Sequence, residues 1–169
     1  NKKGDEVVEI NREDTNGQKA CFVWEAKATQ TPMRKTHNEL DQALTNRNAQ
    51  AAIAVFSDQT TAPISIPFYY CDNKAIVVYD ENDPNNTSIE LAYMWARWVT
   101  RRTISATTDD INTECIESLL NSAQLQLERA TTIRKAHNSA KKSIEQASQH
   151  TEELTKEIKT ILTKIEKEI

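Results

Sequence analysis

Several features are scarce in this chain, and each scarcity narrows the class of protein. The 169 residues include two glycines and three widely spaced cysteines, Cys21, Cys71 and Cys115. An odd cysteine count without a CxxC pair argues against a disulfide framework and against a zinc site. No apolar run reaches the roughly 18 residues that span a membrane, and no signal-peptide pattern opens the chain. We therefore expect a cytoplasmic protein that does not enter a membrane.

Proline and glycine are both missing from residues 106–169, so nothing in the composition of this segment interrupts a long helix. From Ile133 onward, apolar residues recur at spacings of three and four. Fitted to heptads, the a positions are His137, Ile144, Thr151, Ile158 and Ile165, and the d positions are Ile133, Ala140, Ala147, Leu154 and Ile161. The spacing predicts a coiled coil or a helical hairpin. Helices would pair through 130–169, either between two chains as a homodimer or within one chain.

Residues 1–105 instead carry signals of both strands and helices. Strands are predicted over 4–10, 19–28, 51–57, 68–72 and 74–80, and helices over 34–49 and 89–102. Because helix 34–49 lies between strands 19–28 and 51–57, these two strands should be parallel. Thr36 and Glu39 fit a capping box at the start of that helix. The predicted fold class is α/β, with a small mixed sheet flanked by helices over 1–105 and a long helical segment over 106–169.

The strand "CFVWEAKA" carries two opposite charges, Glu25 and Lys27, next to an apolar run. Strand side chains alternate between faces, so these two share a face. Asp5 lies on the preceding strand, and hairpin register decides whether it joins them. A two-residue Asn16-Gly17 turn would place Asp5 opposite Ala28 on the other face. A three-residue loop that includes Thr15 would place Asp5 opposite Lys27.

Two carboxylates and a lysine on one strand face suit phosphodiester hydrolysis. Carboxylate oxygens bind hard cations such as Mg²⁺ or Mn²⁺. Such a cation lowers the pKa of a bound water and polarises a phosphoryl oxygen, and a lysine offsets developing negative charge. The alternative interpretation of the same residues is a surface salt bridge of little energetic weight.

The stretch "GDEVVEI…VWEAKAT" resembles the core of the PD-(D/E)xK nuclease superfamily, including RmuC-like and related bacterial families that join this core to long helices. The resemblance implies a restriction-endonuclease-like core with Asp5, Glu25 and Lys27 as catalytic residues and Asp5 and Glu25 as metal ligands. It also implies Mg²⁺ or Mn²⁺ as cofactor and DNA as partner. Gly4 stands where the motif name has proline, and a helix before Asp5 is expected to be cut away. In RmuC-like chains the coiled coil precedes the core, whereas the long helices follow it here.

Helix 34–49 supplies two auxiliary candidates, Glu39 and Gln42, because some branches of the superfamily place a glutamine there. Five cations are candidate nucleic-acid contacts although the net charge is −4: Arg34, Lys35, Arg47, Arg101 and Arg102. The predicted function is a metal-dependent nuclease, acting on DNA in repair, restriction or defence. The alternative is a catalytically silent nuclease-fold module that its coiled coil oligomerises.

Overall fold

The computed structural model describes residues 5–15, 17–104 and 112–168. It contains a mixed sheet of five strands: β1 Glu6–Glu9, β2 Cys21–Lys27, β3 Ala51–Phe56, β4 Phe68–Cys71 and β5 Lys74–Val78. The strand order is β1-β2-β3-β5-β4. The three central strands β2, β3 and β5 are parallel, and the two outer strands pair antiparallel to their neighbours. The predicted parallel pairing of the strands flanking the first helix is confirmed.

Helices cover both faces of the sheet. Helix α1, Met33–Arg47, packs on one face, where Leu40 and Ala43 meet the β2 side chain Val23. Helix α2, Thr87–Ile104, packs on the other face, where Trp95 meets Phe22 and its neighbours. Successive side chains of each strand therefore enter two different hydrophobic clusters, which is why the central strands read as nearly continuous apolar runs. The α/β class predicted from the sequence is confirmed.

The connection between β1 and β2 differs from both predicted hairpins. Glu6 lies opposite Trp24, and the ladder continues to the hydrogen bond from Ile10 N to Ala20 O at 2.9 Å. The connecting residues contain a 3₁₀ turn, Arg12–Thr15, that a hydrogen bond from Gly17 N to Arg12 O closes. The predicted registers opposite Lys27 or Ala28 are therefore wrong, because the loop is longer than a tight turn. Asn16, Gly4 and the predicted domain boundary at 105/106 lie outside the described residues.

Helix α1 begins at Met33, before the position that the predicted capping box of Thr36 and Glu39 indicates. Pro32 is the N-cap residue, and no side chain caps the helix. Thr36 is fully buried inside the first turns, where its hydroxyl donates to Pro32 O at 3.2 Å. The predicted capping box of Thr36 and Glu39 is therefore wrong, and this frees Glu39 for a tertiary contact. The helix ends at Asn48, which adopts a left-handed conformation with φ 49°.

Helix α3, Thr113–Glu168, is one continuous helix of 56 residues. No turn interrupts it between those residues, so a helical hairpin does not form inside this range. Its first part contributes Leu120 and Leu127 to the core on the α2 side of the sheet. The chain divides into two compact units between Arg129 and Ala130. In the second unit, every residue from Ser139 to Glu168 is exposed.

Among the described residues, no helix combines the length and the apolar character that crossing a membrane would require.

Candidate functional site

The candidate site lies where the central parallel strands end. Glu25 and Lys27 lie within the last three residues of β2. The neighbouring strands β3 and β5 end beside them at Phe56 and Val78. The carboxyl ends of parallel strands form the edge at which ligands bind in open α/β sheets. Helix α1 follows β2 after a short loop and returns over the same face that carries Glu25 and Lys27. The chain order β2–α1–β3 thus places a helix directly above the two charges.

Lys27 joins two carboxylates from different elements. Its Nζ lies 2.5 Å from Glu25 Oε1 and 2.5 Å from Glu39 Oε2 of α1. The three side chains are nearly enclosed, with exposed fractions of 11% for Lys27, 8% for Glu25 and 13% for Glu39. The positional candidate Glu39 is therefore part of the cluster. The sequence signal for it was its location in the second turn of the helix after the strand, together with the carboxyl group.

The lysine is held in its charged form. Burial by itself would lower the pKa of Lys27, but its hydrogen bonds to Glu25 and Glu39 and the negative charges of these carboxylates raise that pKa above the ordinary value. Lys27 is therefore an ammonium ion at neutral pH. It neutralises one of the two carboxylates, so the three side chains carry a net charge of −1.

One carboxylate oxygen of the cluster is unsatisfied. Glu25 Oε2 is buried and has no hydrogen-bond partner among the described residues. A buried carboxylate oxygen without a partner is costly, because the desolvation of the charged group is not repaid. Such groups are rare in folded proteins and mark places where an ion, a water or a substrate completes the site.

Asp5 lies immediately before β1. The β1–β2 ladder ends at Glu6 opposite Trp24, and Asp5 N, one residue before the strand, donates to Trp24 O at 3.0 Å. The Asp5 carboxylate accepts a hydrogen bond from Ala26 N at 2.9 Å and is exposed to solvent. The Asp5 carboxylate is thus bound to the backbone of β2 at the residue between Glu25 and Lys27, through a register that differs from both predicted ones.

The predicted metal site stays a prediction. Within the described ranges, no group of three or more His, Cys, Asp or Glu side chains is arranged to hold a metal ion. Two features fit a hard cation: Glu25 Oε2 is an unsatisfied oxygen donor, and the Asp5 carboxylate lies next to Ala26, the residue between Glu25 and Lys27. Lys27 lies against the other oxygen of Glu25.

The five candidate cations do not form one patch. Arg34 and Lys35 are exposed on the first turn of α1, which begins at the edge that carries the site. Arg47 lies in the last turn of that 15-residue helix, which is about 22 Å long. Arg101 and Arg102 end α2 on the opposite face, where Arg102 stacks over Trp98 at 4.7 Å and hydrogen-bonds Glu117 at 3.4 Å.

The remaining auxiliary candidate, Gln42, is exposed on α1. Of the residues singled out in the sequence, the structure thus brings together Glu25, Lys27 and Glu39, and it binds the Asp5 carboxylate to Ala26 N. In comparisons with protein-family models, curated proteins and solved structures, the chain matches none of them.

Proposed function

We propose that the chain is a Mg²⁺- or Mn²⁺-dependent nuclease with a restriction-endonuclease-like core, and that it hydrolyses phosphodiester bonds of DNA. The observation that carries the proposal is the buried Glu25–Lys27–Glu39 cluster at the carboxyl end of β2. The Asp5 carboxylate is bound to Ala26 N, between Glu25 and Lys27, and one oxygen of Glu25 has no partner among the described residues. The order of two antiparallel strands, a crossover helix and a parallel strand supports the same core.

The roles of the residues follow from their protonation and burial. Asp5 and Glu25 are the oxygen ligands, and a bound divalent cation would supply an activated water and a polarised phosphoryl group. Because Lys27 is already protonated at neutral pH, it does not abstract a proton from water. Its ammonium group instead stabilises negative charge that develops on the phosphoryl oxygens. Glu39 acts through Lys27 as a positioning residue, since its carboxylate fixes the direction of the ammonium group.

Asp5→Asn is the sharpest variant for testing this activity. Asp5 is exposed, and an asparagine oxygen can still accept the hydrogen bond from Ala26 N, so the fold should survive. The purified protein is incubated with labelled single-stranded and double-stranded DNA and with RNA, with Mg²⁺, with Mn²⁺ or with a chelator. We expect cation-dependent cleavage of DNA, and a loss of at least about 100-fold for Asp5→Asn.

Glu9→Gln is the matched control, because Glu9 lies at the other end of the same hairpin strand and its side chain forms an exposed pair with Lys19 at 3.1 Å. It should cleave like the unmodified chain. Unchanged cleavage by Asp5→Asn, or cleavage that does not need a divalent cation, contradicts the proposed chemistry.

A second candidate function is a catalytically silent module with the same fold that acts through interaction. The long exposed apolar stripe of α3 supports it, because large exposed apolar surfaces mark sites of interaction with other proteins. This candidate predicts that the unmodified chain cleaves no nucleic acid with either cation and still associates through α3.

A further inference from the structure

The second unit of the chain exposes a regular apolar stripe. Seven isoleucine and leucine side chains between residues 130 and 168 are exposed by half to seven-tenths: Ile133, Ile144, Leu154, Ile158, Ile161, Leu162 and Ile165. All lie on one continuous helix, α3. Six of the seven occupy the a and d heptad positions, and the seventh, Leu162, lies beside them at an e position. A helix of this kind lacks the partner that would remove its apolar face from water.

We propose that this stripe is the dimerisation surface of the chain, and that it pairs with the same stripe of a second copy in parallel and in register. Each a and d side chain then meets its own counterpart. The layers formed by Ile144, Leu154, Ile158, Ile161 and Ile165 are filled by large aliphatic side chains, whereas Ala140 and Ala147 allow the helices to approach closely. The pairing does not depend on the nuclease chemistry.

The exposed area is sufficient for a stable pair. A fully exposed isoleucine or leucine side chain offers roughly 120 Å² of apolar area. Seven such side chains, half to seven-tenths exposed, supply about 500 Å² per chain and about 1,000 Å² in a pair. That area reaches the size of a specific interface before the alanine, threonine and lysine stems are included.

The charges beside the stripe favour a second copy over a strongly charged partner. In the parallel pair, g positions contact e positions of the other helix: Ala136 with Lys141, Ser143 with Ser148, His150 with Thr155, and Glu157 with Leu162. None of these four contacts joins two like charges. Residues 130–168 contain eight lysines and arginines and six glutamates, a net charge of +2, so self-association meets little repulsion. A partner of one sign would find no complementary row of charges.

The distribution of large side chains favours the parallel orientation. A fully overlapped antiparallel pair would set Ile158 against Ala140 and Thr151 against Ala147, which leaves uneven layers. An antiparallel pair restricted to the end of α3 would fill its layers with Leu154, Ile158, Ile161 and Ile165 but would leave Ile133 and Ile144 exposed. Isoleucine at three of the five a positions is typical of parallel two-stranded coils.

Oxidative cross-linking tests the orientation in the full chain. Ala140→Cys is introduced with Cys115→Ser, which removes the exposed native thiol. In the parallel register, the two Cys side chains at this d position meet, and most of the protein should become a disulfide-linked dimer on mild oxidation. Lys142→Cys, at an outward f position, is the matched control and should remain largely uncross-linked. Equal cross-linking of the two variants, or cross-linking of neither, overturns the parallel register.

Light scattering coupled to size exclusion tests the pairing itself. Ile158→Asp places a charge in an aliphatic layer of both helices and should raise the dissociation constant of the dimer at least about 100-fold. Thr163→Asp, at an exposed f position, should leave it unchanged. Circular dichroism at high concentration shows whether the helix of each variant persists. A monomeric unmodified chain at about 100 μM overturns the proposal, as does an Ile158→Asp variant that dimerises like Thr163→Asp.

Discussion

Lys27→Met isolates the contribution of the charged cluster to stability. Methionine keeps a long unbranched side chain and removes the ammonium group that joins Glu25 to Glu39. Because each of these carboxylate oxygens lies 2.5 Å from Lys27 Nζ, the two oxygens are at most 5 Å apart, twice that distance. The substitution therefore leaves two negative charges close together in a nearly enclosed site.

Two routes give the same magnitude for the loss. Unit charges 5 Å apart repel by about 3 kcal/mol at an effective dielectric constant of about 20. Removing one partner of a buried ion pair destabilises proteins by about 3–5 kcal/mol. We therefore expect Lys27→Met to lower the free energy of unfolding at pH 7 by about 3–5 kcal/mol. With a slope of about 2 kcal/mol per molar urea, the midpoint should fall by about 1.5–2.5 M.

Urea unfolding followed by tryptophan fluorescence measures this loss, since Trp95 lies in the core of the first unit and Trp24 and Trp98 pack against that core. Lys19→Met is the control, because its pair with Glu9 is 69% and 64% exposed and should contribute less than about 1 kcal/mol. The triple variant Glu25→Gln, Lys27→Met, Glu39→Gln should recover at least half of the loss, since it leaves no unpaired charge. A Lys27→Met loss no larger than that of Lys19→Met would refute the reasoning.

Two further predictions concern pH and the core. Because the folded-state pKa of Lys27 is raised, its stabilisation is complete below the unfolded pKa of about 10.4 and is lost as pH rises through the higher folded value. The stability difference between the unmodified chain and Lys27→Met should thus stay constant from pH 7 to 9 and shrink above about 10.4; a difference halved by pH 9 contradicts this. Leu120→Ala should lower the free energy of unfolding, measured in urea, by about 2–5 kcal/mol, because Leu120 is only 6% exposed. The control Leu119→Ala, at a position 63% exposed, should lower it by less than about 0.5 kcal/mol. Similar losses for the two variants would show that α3 does not complete the core.

Side-chain periodicity predicted the shared face of Glu25 and Lys27, and loop chemistry decided the register of the preceding strand. The two predicted loops placed Asp5 opposite Lys27 or Ala28, whereas the observed ladder pairs Glu6 with Trp24 and ends before Asp5. The length of the connection could not be predicted from Asn16-Gly17, because the Thr15 hydroxyl donates to Gln18 O at 2.6 Å within a larger turn.

The capping of α1 was mispredicted for a related reason, although its start was predicted to within one residue. Thr36 and Glu39 have the residue types of a capping box, but the helix already begins at Met33. Burial of Thr36 against the sheet and the ion pair of Glu39 with Lys27 outweigh the local capping preference. Local signals describe neighbours along the chain, whereas the partner of Glu39 is 12 residues away.

The two outer strands of the sheet limit how the protein can associate. Both β1 and β4 are four residues long, and β1 carries the exposed glutamates Glu6 and Glu9 at its two ends. Short, charged outer strands are poor templates for another chain to extend a sheet. The outer strand β1 therefore disfavours pairing with a strand of another molecule. Molecules brought together by helix pairing would not extend one another's sheets along this edge.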